Sequence, residues 1–129
     1  MRFVILLTSD QPPAPPPPPL MQALMELGQE AARSGALVDN ARLAPSAAGA
    51  RVTLSGGEIS SGDGPVTDIR EFVSYAVYEL ASREEAVEWA IRFLTLHRDL
   101  WPGWQGVAEV RQVLPAPPAG GPPTGAPPA

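Results

Sequence analysis

Phe72-Val73-Ser74-Tyr75-Ala76-Val77-Tyr78-Glu79-Leu80, followed almost at once by Ser82-Arg83-Glu84-Glu85, decides the fold class of this chain. Aromatic and branched side chains dominate the first segment and predict a strand over 72–80. Its alternation puts Phe72, Ala76, Tyr78 and Leu80 on one face and Val73, Tyr75 and Val77 on the other, so both faces need cover. Ser82 to Glu85 has the form of a capping box: the serine oxygen accepts a backbone N–H, and Glu85 reaches back to the serine N–H. The helix opened there carries Ala86, Trp89, Ala90, Phe93 and His97 on one stripe, with Glu88 and Arg92 paired four residues apart on the other side. Trp101-Pro102-Gly103 marks its latest stop.

Upstream, Phe3 to Leu7 is a short apolar run without polar alternation, which reads as a strand covered on both faces. Residues 11–19 then form a stiff polyproline loop, since each proline lacks an N–H and restricts the residue before it. The loop leads into a helix over about 20–33, where Leu20, Ala23, Leu24, Leu27 and Ala31 recur at helical spacing and Gly35 supplies the stop. Leu37 to Leu43 and Arg51 to Leu54 read as strands. Ser55-Gly56-Gly57 turns the second of these into Glu58-Ile59-Ser60, and Gly62-Asp63-Gly64-Pro65 is a further turn. Val107 to Leu114 is the last strand. The order strand, helix, strand, hairpin, strand, helix, strand is that of an α+β sandwich, with two helices on one face of an antiparallel sheet.

Two helices cover only one face of that sheet. The first and fourth strands are apolar on both, and a second copy of the chain is the simplest cover for the remaining face. Two sheets facing each other make a dimeric α/β barrel with an enclosed, partly polar interior, a natural ligand pocket. Residues 1–114 constitute this single domain, and the Pro/Gly/Ala-rich stretch 115–129 reads as an unfolded tail.

Composition removes whole classes of chemistry. The chain has no cysteine, so thiolate nucleophiles, disulfides and cysteine-held zinc or iron–sulfur centres are excluded. All nine basic residues are arginine, and without lysine no side-chain Schiff base can form. His97 is the sole histidine, so a metal site built from two or three imidazoles is impossible within one chain. A net charge of -5 argues against nucleic acid or an anionic membrane as partner. No apolar run reaches the roughly 18 residues of a membrane span, and the run after Arg2 is too short for a signal peptide. A cytoplasmic protein that uses no cofactor is the expectation.

Several segments taken in order carry a family resemblance: Gly49-Ala50-Arg51-Val52, Ser55-Gly56-Gly57, Asp63-Gly64-Pro65, Arg70-Glu71, Ser82 to Trp89 and Glu109-Val110-Arg111. Together they resemble the YCII-related proteins of the DGPF branch over Met1 to Val113. The resemblance implies a ferredoxin-like βαββαβ-type sandwich with an extra hairpin, dimerising into an α/β barrel. This chain departs from the pattern in three places. Val66 stands where the family has phenylalanine after Asp-Gly-Pro. Val73-Ser74-Tyr75 replaces a glycine pair before an aromatic and is one residue shorter, which bears on a bulge at the pocket wall. The polyproline insert precedes a first helix that carries no histidine. Relatives in the wider barrel superfamily include isomerases, lyases, cyclases and monooxygenases, so analogy implies a loose class only.

Among candidate site residues, His97 is the side chain expected to titrate near neutrality, and the helix C-terminus favours its protonated form. As a pocket base oriented by Asp63, Asp68 or Glu71 it moves a proton on a carbon acid. The competing reading is a helix-end histidine packed on Trp101 and hydrogen bonded to a carbonyl. Asp63 is either a catalytic partner or a turn aspartate bonded to its own backbone. Glu71 and Tyr75 are candidate ligand-binding residues on the strand at the pocket wall. Trp101 and Trp104 flank a Pro-Gly turn and either line an apolar pocket or close one end of the core. Glu109 and Arg111 share a strand face with Val107 and Val113; there they hold an anionic ligand or pair with each other at a dimer interface. The polyproline run reads as loop drift or as a docking segment for a partner's aromatic groove. The expected function is a homodimer that binds an apolar or aromatic small molecule, as a cofactor-independent isomerase, lyase or cyclase or as a non-catalytic sensing module.

Overall fold

The computed structural model describes residues 1–65 and 70–116. Its elements are β1 (Arg2–Ser9), α1 (Pro18–Arg33), β2 (Leu37–Arg42), a 3₁₀ turn (Ser46–Ala48), β3 (Ala50–Ser55), β4 (Glu58–Asp63), β5 (Glu71–Glu79), α2 (Arg83–Leu100) and β6 (Val107–Gln112). Four strands form one antiparallel sheet in the order β2-β5-β1-β6. β3 and β4 pair only with each other, as a separate ribbon. The protein is α+β, with two helices on one face of the sheet, an arrangement compatible with a ferredoxin-like fold.

The core lies between the sheet and the helices. Along β1 the side chains of Phe3, Ile5, Leu7 and Ser9 are buried on the helix side, while Val4, Leu6 and Thr8 are half-buried on the other. Register carries this alternation across the sheet. Asn40, Ala76, Ile5 and Val110 form one cross-strand row on the helix side; Ala41, Tyr75, Leu6 and Glu109 form a row on the helix-free side. Leu20, Ala31 and Ala86 are fully enclosed beneath the helices.

α1 begins two residues before the expected position, because Pro18 and Pro19 occupy the first helical turn, where a missing N–H has no partner to lose. It ends in a Schellman arrangement: the Ala36 N–H donates to the Ala31 carbonyl and the Gly35 N–H to that of Ala32, with Gly35 at φ +80°. α2 starts at the Ser82 cap, where the Glu85 N–H donates to Ser82 Oγ at 3.2 Å. Glu85 reaches back one residue further than expected, accepting from the Ala81 N–H.

Three further expectations are corrected. Arg92 does not pair with Glu88; its guanidinium donates twice to Glu30 of α1, at 2.6 and 2.9 Å, and lies 4.7 Å above the Trp89 ring. A two-pronged bond to a carboxylate on the neighbouring helix outcompetes a single pair along one helix. Gly62 and Asp63 belong to β4 and not to a turn, because Asp63 pairs with Ala50 and the ladder closes only where the Gly64 N–H meets the Gly49 carbonyl. Phe72 is not on the face of Ala76 and Tyr78. The β1–β5 register slips between Leu7 and Thr8, so Ser74 opposes Leu7 while Phe72 opposes Thr8, and a one-residue slip reverses the face. Val73 is the extra, unpaired residue of this bulge. The expected tail falls, from residue 117 on, outside the described residues, as do Val66 and Asp68.

Candidate functional site

A cavity of about 890 Å³ opens between α1, the segment 11–16 and the ends of β1, β2 and β5. Ile5 and Leu7 supply its floor on the sheet, Leu24 and Leu27 its helix wall, and Pro12, Pro13, Pro15 and Pro16 an outer wall. A polyproline segment suits this position because its backbone is extended and rigid without hydrogen bonds of its own. Ser9 anchors it: buried at the end of β1, its hydroxyl donates to the Gln105 carbonyl at 2.7 Å and accepts from the Gln11 N–H at 3.1 Å. One side chain thus ties the entry of the proline strap to the loop that carries Trp104.

His97 is 4% exposed and lines the cavity from the last turn of α2. Its ring lies between Phe93 and Trp104, with centroid distances of 4.6 and 4.7 Å, and Trp101 stacks on Trp104 at 5.6 Å. Gly106 makes this stack possible, since a Cβ there would overlap the Trp104 ring. His97 Nδ1 is 2.9 Å from the Phe93 carbonyl. A carbonyl oxygen only accepts, so Nδ1 carries the proton. Burial pushes the imidazole below the ordinary 6.5, an effect the Phe93 bond only partly offsets. Burial thus favours the neutral ring, against the protonated form that a helix end favours. Nε2 then bears the free lone pair. No side-chain nitrogen among the described residues is sealed without a partner, so Nε2 keeps some access to solvent, and His97 is one of the residues lining the cavity.

The other candidates divide between this site and elsewhere. Trp101, Trp104 and Glu71 line the cavity with His97; Tyr75 borders it from β5, but its register puts its side chain on the helix-free face. Glu71 is already engaged: it accepts from the Ser46 N–H at 2.7 Å and from the Ser46 hydroxyl at 2.6 Å, and these bonds hold its carboxyl below the usual range. The Tyr75 hydroxyl donates to Asp39 at 3.2 Å, and that carboxylate raises the phenol's pKa. Asp63 is not brought to His97; it ends β4 in the ribbon, outside the cavity. Among the described residues no carboxylate orients the imidazole, and the Phe93 carbonyl does so instead. The ring's neighbour is Trp104 and not Trp101, because the turn after α2 brings Trp104 back over the helix end, its N–H donating to the Trp101 carbonyl.

Glu109 and Arg111 lie on the helix-free face of β6, away from the cavity, and pair with each other at 2.7 Å. The cavity itself is on the helix side of the sheet and not on the face where a barrel interior was expected. Two wall components had no signal in the sequence reading: the proline strap, whose composition announces stiffness but not what lies behind it, and Arg42, the one arginine among the lining residues. Among the described residues no group of histidine, aspartate and glutamate is placed to hold a metal ion. None of the described helices is long and apolar enough to cross a membrane. No protein-family model matches the chain, and no curated protein matches it.

Proposed function

We propose that this chain is a homodimeric small-molecule-binding protein of the YCII-related, barrel-forming type. Its ligand is an apolar or aromatic compound bearing one hydrogen-bond donor, bound behind the proline strap. The observation that carries this reading is the His97 ring, its pKa lowered by burial, set in a mainly apolar wall with Nε2 not sealed from solvent. Apolar surface there selects a ligand body, and one buried acceptor selects a hydroxyl or N–H on it. A neutral imidazole in contact with such a group also serves as a general base, abstracting a proton for isomerisation, elimination or cyclisation without a cofactor. The homodimer is supported by the half-buried apolar rows of the helix-free face, Val4 with Val77 and Leu6 with Tyr75.

Thermal shift with 2-naphthol and naphthalene, which differ by one hydroxyl, tests the binding. The wild type is expected to be stabilised by 2-naphthol well beyond naphthalene, and His97→Leu to lose that difference while still tolerating naphthalene. Equal shifts for both compounds in the wild type would remove His97 from the site. Catalysis is read separately, as deuterium uptake from solvent into a panel of enolisable aromatic ketones, with His97→Gln lowering the rate about 10²- to 10⁴-fold. The non-catalytic sensing module is favoured by one observation, the lack of a described carboxylate on the imidazole. Selective binding of 2-naphthol with no uptake in any ketone would support that second reading.

A further inference from the structure

The ribbon of β3 and β4 projects from the body with every residue of both strands exposed, and it makes no extensive contact with another element. Its register makes it two-faced. Val52 opposes Ser61 and Leu54 opposes Ile59, so Val52, Leu54 and Ile59 share one side, whereas Arg51, Thr53, Ser60 and Glu58 share the other. The three apolar side chains are 69%, 71% and 74% exposed. An isolated two-stranded hairpin is marginal in water, and an uncovered apolar side adds nothing to hold it. Yet its root is firmly built: the Gly64 N–H donates to Gly49 at 3.0 Å, and Glu71 grips the Ser46 backbone and hydroxyl. A Cβ at Gly64 would overlap the Ser46 carbonyl, so the strands leave the body through a close crossing. A braced root below an amphipathic ribbon is the construction of an arm.

A second uncovered apolar surface exists on the same chain. At the end of the helix-free face nearest the arm's root, Phe72, Thr8 and Val107 form one cross-strand row, with Phe72 51% and Val107 44% exposed. We infer that the arm is exchanged in the homodimer, its Val52, Leu54 and Ile59 side lying across the partner subunit's Phe72 and Val107. This rests on the homodimer of the proposed function.

Area favours a second copy as the occupant. Six-residue strands at ~3.3 Å per residue and four strands at ~4.8 Å spacing give the helix-free face about 20 Å by about 19 Å, roughly 400 Å². That is about half of the ~800 Å² each partner contributes to a standard stable interface. One side of the ribbon adds roughly 200 Å² to what each subunit contributes, about 600 Å² in all, which comes closer to the standard interface than the sheet face alone.

Sedimentation equilibrium on the full chain, comparing wild type with Val52→Ser/Leu54→Ser/Ile59→Ser, tests the arm. The three positions lie outside the core, so the variant is expected to keep the wild-type far-ultraviolet spectrum and to weaken dimerisation at least tenfold. A wild-type dimer whose dissociation constant the triple substitution leaves unchanged overturns the arm and spares the dimer. A wild type that is monomeric at micromolar concentration overturns both. Because the chain has no cysteine, a second measurement is independent of folding losses in the triple variant. Leu54→Cys mixed with Phe72→Cys is expected to give a disulfide-linked dimer under mild oxidation, and a mixture that stays monomeric on a non-reducing gel counts against the arm.

Discussion

His97 donates its Nδ1 proton to the Phe93 carbonyl one helical turn earlier, at 2.9 Å, and so leaves Nε2 as the single basic atom of the ring. An intrahelical bond thereby sets the tautomer that a carboxylate sets in many catalytic histidines, and it does so without adding a charge that would hold the ring protonated.

The first consequence is a pH dependence of stability. The folded chain binds a proton on His97 less readily than the unfolded chain does, because burial lowers its pKa from 6.5. The stability this contributes is complete above the unfolded value and is lost as pH falls below it, since protons then favour the unfolded state. Glu30, Glu71 and Glu79, held below 4.5 by their partners, lose their contribution only at lower pH. Chemical denaturation between about pH 7 and about pH 5 is expected to show a falling midpoint in the wild type and a flat one in His97→Gln. A flat wild-type profile over that window would mean the ring is not held neutral by the fold.

Gly106→Ala addresses the aromatic stack. The new methyl would collide with the Trp104 ring and sit 2.9 Å from the Thr8 carbonyl. Swinging Trp104 away uncovers one face of His97, and overpacking of this kind costs about 1–3 kcal/mol. Urea unfolding checks the loss of stability, and the shift given by 2-naphthol should fall with it. A variant as stable as the wild type would show that Trp104 has room to move.

Ser46→Ala removes one of the two bonds to Glu71. The Glu71 carboxyl pKa should rise toward its ordinary value, as followed by carboxyl-carbon NMR titration. Amide hydrogen exchange at Gly64, whose N–H lies at the arm's root, should quicken at the same time. An unmoved Glu71 pKa would mean the backbone N–H of Ser46 carries the effect alone.

The proline strap can be tested by substituting Pro13, Pro15 and Pro16 with serine. Serine keeps the chain length but removes both the apolar ring and the fixed φ, so the cavity keeps its floor and loses a rigid wall. Naphthol binding should weaken several-fold with little change in the unfolding midpoint without ligand. Unchanged affinity would assign the strap no part in the site.

What the sequence determined by itself is what neighbours along the chain can satisfy. The Ser82 cap bonds an N–H three residues away, Gly35 takes a positive φ in place, and the stripe Leu20, Leu27, Ala31 follows from the helical repeat alone. His97, Trp101 and Trp104 were legible as one aromatic group because a helix end and a short turn hold them within eight residues. The tertiary structure decided what depends on distant segments. Arg92 chose Glu30 over Glu88 because α1 presents both carboxylate oxygens to its two terminal guanidinium nitrogens. Phe72 changed faces because its register is set by β1, where a one-residue slip reverses every side chain beyond it. The lowered pKa of His97 comes from burial, a loss of water that only packing imposes, and it runs against the protonated form that the helix end alone favours.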